Sequence, residues 1–91
     1  MISKNATILN KQGLHARPAT AMVNTAAKYK SEIFICKEEK KVNGKSILGL
    51  LVLAAESGST LTIEASGPDE NEAVGALVDL VADHFGMGES S

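Results

Sequence analysis

Seven consecutive residues, Gly13-Leu14-His15-Ala16-Arg17-Pro18-Ala19, set a histidine two places before the one arginine of the chain and three before a proline. Proline is tolerated in the first turn of a helix, where its missing N–H would have had no intrahelical partner. Pro18 therefore marks a helix that starts near His15. The start of a helix offers unpaired backbone N–H groups and the positive end of the peptide dipole, and Arg17 adds a guanidinium able to grip two phosphate oxygens. The same positive end disfavours an imidazolium at His15 and leaves one ring nitrogen free as a nucleophile. A neutral imidazole beside a phosphate cradle can take up a phosphoryl group and give it away again. The plainer explanation, a solvated loop histidine beside a cap, stands against this. His84 needs no more than a plain explanation, because it falls in the last turn of a helix where the dipole favours it.

A second segment, Val42-Asn43-Gly44-Lys45-Ser46-Ile47-Leu48-Gly49-Leu50-Leu51, holds more apolar residues than one buried helix face can take. Ser46 reads as the N-cap of a short helix over 47–53. Residues 47, 50, 51 and 54 can share one face of it, which leaves Leu48, Val52 or both near the surface. An exposed aliphatic patch on a small domain marks a docking surface. Complete burial of the short helix is the competing explanation, and a cap alone accounts for Ser46.

Around these two segments the periodicities alternate. Ile2, Ala6 and Ile8 suggest an opening strand, followed by the turn-like Asn10-Lys11-Gln12-Gly13. Ala19, Met22, Val23 and Ala26 recur at helical spacing over about 16–28. Ile33 and Ile35 alternate in a second strand, and Val42 marks a short third one past a charged turn from Lys37 to Lys41. Leu61, Ile63 and Ala65 alternate with Thr60, Thr62 and Glu64 in a last strand. Asp69 with Glu72 three residues on resembles a capping box, opening a helix that buries Ala73, Ala76, Leu77, Leu80 and Val81 and stops at Gly86. The order is βαββαβα. It suits an α+β two-layer open-faced sandwich, a four-stranded antiparallel sheet with three helices on one face. One domain is expected over residues 1–88, with 89–91 a disordered tail.

Composition narrows the function classes. Ninety-one residues carry nine Lys and Arg against eleven Asp and Glu, a net charge of -2, which argues against a nucleic-acid partner. Tyr29, Phe34 and Phe85 are too few rings for a base-stacking platform. A single cysteine, Cys36, and two histidines fall short of a dedicated zinc site, so no metal is expected, and lone-thiol usage fits a reducing cytoplasm. The longest nearly apolar stretch, Ile47 to Ala55, is far below the ~20 residues that span a bilayer, and no export segment is expected at Met1-Ile2-Ser3-Lys4-Asn5.

The motifs together resemble one family. Gly-Leu-His-Ala-Arg-Pro-Ala around His15, Lys-Ser-Ile-Leu-Gly-Leu-Leu around Ser46, and the ending from Gly67-Pro68-Asp69-Glu70 through Phe85-Gly86 look like HPr, the histidine-containing phosphocarrier of the bacterial phosphotransferase system. The resemblance runs over essentially the whole chain. It implies that His15 is phosphorylated, as a pros-phosphohistidine, by phosphorylated enzyme I charged from phosphoenolpyruvate, and passes the group to an enzyme IIA domain, with no cofactor. It also implies that Arg17 holds the phosphate, that Ile47, Leu48 and Leu51 dock both partners, and that Ser46 is the target of an HPr kinase/phosphorylase. A cytoplasmic monomer is expected. Glu38-Glu39 stands where many members carry an Asn-Gly type turn. Asn10-Lys11 and Gly67-Pro68 are also similar to the nitrogen-branch homologue, so sugar transport and nitrogen regulation both stay open.

Two other classes compete with the carrier. A small hydrolase could use His15 and Arg17, but no carboxylate, serine or cysteine stands close to His15 in sequence as a general base or second nucleophile. A purely regulatory binding protein would use the Ser46 helix and ignore His15.

Overall fold

The computed structural model describes residues 1–86, so the expected domain end at residue 88 and the tail beyond it lie outside the described residues. Strands β1 (Ile2–Thr7), β2 (Glu32–Lys37), β3 (Lys40–Asn43) and β4 (Thr60–Ser66) alternate with helices α1 (Ala16–Ala26), α2 (Ile47–Leu53) and α3 (Glu70–Ala82) in the anticipated order. A single 3-10 turn, His84–Gly86, follows α3.

The period-2 pattern explains the sheet. Leu61, Ile63 and Ala65 of β4 and Ile33 and Ile35 of β2 are buried, while the residues between them face away from the core. All pairings are antiparallel, in the order β1-β4-β2-β3. The register sets Ile35 opposite Ile63 on one side and Val42 on the other, and Ala65 opposite both Ile33 and Ile2. Apolar residues therefore line up across strands on one face only. The helices cover that face: Ala19, Met22 and Ala26 of α1, Leu50 and Leu53 of α2, and Ala73, Val74, Leu77 and Val81 of α3 complete the core.

Several local expectations are corrected. The β2–β3 connection is a two-residue hairpin and not a five-residue charged turn: Lys37 pairs with Lys40, and Glu38 takes φ +56° in the left-handed region that an Asn-Gly turn would occupy more readily. The buried face of α2 is Leu50 and Leu53 rather than 47, 50, 51 and 54, because the helix ends at Leu53 and Ala54 turns left-handed and outward. In α3 Val74 replaces Ala76 and Leu80 in the fully buried set, since the helix packs on β1, β4 and α1 together. The capping box does not form: Asp69 caps with no side-chain bond to its own helix. Its carboxylate instead accepts from the Ser31 hydroxyl and from the N–H groups of Lys30 and Ser31, and Glu70 accepts from the Gly67 N–H. These bonds hold the carboxyls of Asp69, led by the Ser31 hydroxyl, and Glu70, led by the Gly67 N–H, below the usual carboxylate range. Finally, α3 stops at Ala82, and His84 sits beyond the helix in the 3-10 turn. No helix among the described residues is long and apolar enough to cross a membrane.

Candidate functional site

His15 is the N-cap of α1, as the position of Pro18 requires. Its backbone is extended, with φ -87° and ψ -169°, and its carbonyl accepts the first helical bond from the Ala19 N–H at 3.0 Å. The imidazole makes no capping bond, so among the described residues the N–H groups of Ala16 and Arg17 remain open at the positive end of an 11-residue helix. Arg17 is exposed and belongs to neither of the ion pairs found among the described residues. It lies in a shallow groove of about 400 Å³ with Ala16, Thr20, Ala21 and Asn24.

The loop that delivers His15 is held from below. Gly13 donates to the Asn10 carbonyl at 3.0 Å, and Leu14, itself buried, donates to the Ala55 carbonyl at 2.8 Å. Ala54, at φ +53°, bends the chain after α2 so that residues 54–57 come back alongside. Together with Lys11, Gln12, Leu14 and His15 they line a cavity of about 410 Å³. The His15 ring sits asymmetrically in it: Nε2 is enclosed and finds no hydrogen-bond partner among the described residues, although the residue as a whole is half-buried.

α2 begins as its sequence suggests, with the Gly49 N–H donating to Ser46 Oγ at 3.0 Å. The helix leaves an aliphatic patch uncovered: Leu48 is 76% exposed, Val52 69%, Ile47 39% and Leu51 37%. Seven helical residues span about 10 Å, and Ala54 at the end of α2 lines the His15 cavity. Lys45, next to Ser46 in sequence, donates its ammonium to the Tyr29 carbonyl at 2.8 Å.

His15 thus meets the segment that follows α2, Arg17 lies two residues on in a separate groove, and His84 lines neither of the two. Sequence reasoning left out Lys11, Gln12, Glu56 and Ser57 as neighbours of His15, whereas the surface position it gave to Leu48 and Val52 is the one observed. No local pattern announces Glu56 and Ser57, because residues 54–57 reach His15 through the left-handed bend at Ala54.

Comparison with known proteins shows the family. The family model described as PTS HPr component phosphorylation site matches residues 2–83. The chain is 46% identical over 89 residues to the phosphocarrier protein HPr of Neisseria meningitidis serogroup A, covering 98% of this chain and 100% of that protein. The crystal structure of HPr-C-His from Thermoanaerobacter tengcongensis superposes with a TM-score of 0.92 at 46% identity, over 97% of this chain and 99% of the other. A structure described as an HPr dimer from the same organism gives a TM-score of 0.76 at 47% identity, over 98% and 100%. With the family model and the relatives matching nearly end to end, the chain belongs to the HPr family, the phosphohistidine carriers of the phosphotransferase system.

Proposed function

We propose that His15 accepts a phosphoryl group from phosphorylated enzyme I and hands it to an enzyme IIA domain, the chain serving as a carrier with no small-molecule turnover of its own. The observation that carries this reading is the half-buried His15 ring at the start of α1, with Nε2 closed off and Arg17, in no ion pair among the described residues, two positions further on. Because Nε2 is enclosed, the incoming phosphorus meets Nδ1. The Nδ1–P bond forms as the bond from phosphorus to the donor atom breaks, and the donor keeps that electron pair. The ring proton rests on Nε2, and the product is a pros-phosphohistidine. Its oxygens are held by Arg17 and by the N–H groups of Ala16 and Arg17, charge-assisted contacts worth about 1.5–3 kcal/mol each. No second nucleophile or base is needed to finish the step, which separates it from a hydrolase.

Docking of both partners falls to Ile47, Leu48 and Leu51, with Val52 beside them, since these side chains are exposed on a helix whose C-cap, Ala54, lines the His15 cavity. A phosphate on Ser46, placed there by an HPr kinase/phosphorylase, would add about -1.5 to -2 charges at the edge of that patch and repel a partner that meets the cationic site with acidic groups. We read the chain as a cytoplasmic monomer that shows the same side to each partner in turn. Incubation with phosphoenolpyruvate and enzyme I, followed by intact mass at neutral and acid pH, tests the carrier reading: one acid-labile phosphate is expected on the wild-type chain and none on His15→Ala. A phosphate retained by His15→Ala would overturn it.

A further inference from the structure

Asn10 is wholly buried, one of two polar residues so enclosed among the described residues. A buried amide is costly unless its polar atoms are paired. Here Nδ2 donates to the main-chain carbonyl of His84 at 3.1 Å, across 74 positions of sequence, while Oδ1 is enclosed with no partner among the described residues. An aliphatic side chain of similar volume would leave no such orphan, so whatever the amide contributes comes through its one bond. The acceptor lies in an unusual turn: His84 and Phe85 both have positive φ, +54° and +55°, a region that non-glycine residues rarely occupy unless their surroundings hold them there. Two anchors do so. The Phe85 ring is buried in the core, and the His84 carbonyl is held by Asn10.

The other end of the link leads to the phosphoryl site. The Asn10 carbonyl accepts from the Gly13 N–H, which closes the turn that runs through Leu14 into His15, and the 3-10 turn also packs on α1. One residue is thus tied through its main chain to the loop that delivers the histidine, and through its side chain to the C-terminal turn. We propose that Asn10 is a positioning residue for phosphoryl transfer, fixing the depth and heading of His15 by docking the His84–Gly86 turn onto the 10–14 loop. The idea rests on the carrier reading above and deepens it. Transfer needs the attacking nitrogen in line with the bond that breaks, and displacements near 1 Å are enough to slow such a step. Docking depends on the α2 patch and is untouched.

The test uses the full chain with Asn10→Leu, which keeps the volume and loses the donor, as a substrate of enzyme I and phosphoenolpyruvate, together with amide hydrogen exchange. The expected result is a kcat lower by about tenfold with KM unchanged within about twofold. The amides of Gly13 and Leu14 should exchange at least about tenfold faster while those of Ile35 and Ile63 in the sheet keep their wild-type rates. Wild-type kcat with unaltered exchange at Gly13 and Leu14 overturns the proposal, and so does a loss of protection spread evenly through the sheet. Should Asn10→Leu fail to fold, Asn10→Ser, with a hydroxyl too short to reach His84, carries the same readings. A wild-type chain that takes no phosphoryl group overturns the carrier reading and the transfer half of this one, while exchange at Gly13 and Leu14 still decides whether Asn10 anchors the loop.

Discussion

Gly13 precedes His15 by two residues, and its replacement by alanine separates two physical costs cleanly. Its φ of +69° lies where an L side chain is strained, at about 1–2 kcal/mol. A Cβ built there would also lie 2.4 Å from the Ala55 carbonyl oxygen and 2.9 Å from Glu56 Cα, both backbone atoms with no rotamer to move. Relief requires the 54–57 segment to shift away, which strains or breaks the bond from the Leu14 N–H to that same Ala55 oxygen, a further cost of about 1–2 kcal/mol. Gly13→Ala should therefore lose about 2–4 kcal/mol from the roughly 5–14 kcal/mol available to a chain this long. Gly58 supplies the control. Its φ is +86° and nothing lies within 4 Å of the Cβ it lacks, so Gly58→Ala should cost only the conformational part, about 1–2 kcal/mol. At ~4–8 °C per kcal/mol, thermal midpoints should fall by roughly 10–30 °C for Gly13→Ala and roughly 4–16 °C for Gly58→Ala. Urea and thermal unfolding followed by circular dichroism measure both. Equal losses in the two variants, within about 0.5 kcal/mol, would refute the close approach between the His15 loop and the segment after α2.

Leu48→Asp should weaken binding to enzyme I by about 1–3 kcal/mol while leaving the thermal midpoint almost unchanged, because a side chain 76% exposed holds little of the core; titration calorimetry and a melting curve decide, and unfolding would return Leu48 to the core. Ser46→Ala should cost about 0.5–2 kcal/mol of stability through loss of the bond from the Gly49 N–H, whereas Ser46→Asp should keep the cap and lower phosphoryl acceptance, and Ser46→Asp with wild-type acceptance would reduce Ser46 to a cap. The lowered carboxyl of Asp69 contributes stability that is fully present above the ordinary carboxylate range and lost as pH falls through its folded value, so Asp69→Asn should lose less of its thermal midpoint than wild type does between about pH 5 and pH 3. Parallel acid-side losses in the two proteins would show that the bonds from Lys30 and Ser31 do not favour the ionised form.

Local signals survived translation into structure wherever the partner was also local. The Ser46 cap and the span of α2 are readable because Ser46 and Gly49 are three residues apart, and the start of α1 is readable because proline restricts its own turn. Strand faces followed from alternation. Elsewhere a distant partner took over the side chain. Asp69 left its own helix for backbone donors 38 and 39 positions away, and Lys45 donates to the Tyr29 carbonyl 16 positions back. The packing of Asn10 was not readable from its turn-like surroundings, since its bond to the His84 carbonyl spans nearly the whole chain. Glu38 shows the reverse case: a residue with no preference for left-handed backbone is forced there because the register of β2 and β3 leaves just two residues to turn in. The helix starts that carry His15 and Ser46 were legible in types and spacing, while the walls around His15 depended on where the chain returns after Ala54.

The central claim is that the enclosure of Nε2 directs the phosphoryl group to Nδ1 of His15. Uniformly ¹⁵N-labelled chain, phosphorylated by enzyme I and phosphoenolpyruvate, can be read by long-range ¹H–¹⁵N correlation of its two imidazole rings, with ³¹P coupling to mark the bonded nitrogen. Phosphorus on Nδ1 of His15, with the proton on Nε2 and the His84 ring unchanged, is the predicted result; phosphorus on Nε2 of His15, or on either nitrogen of His84, would contradict it.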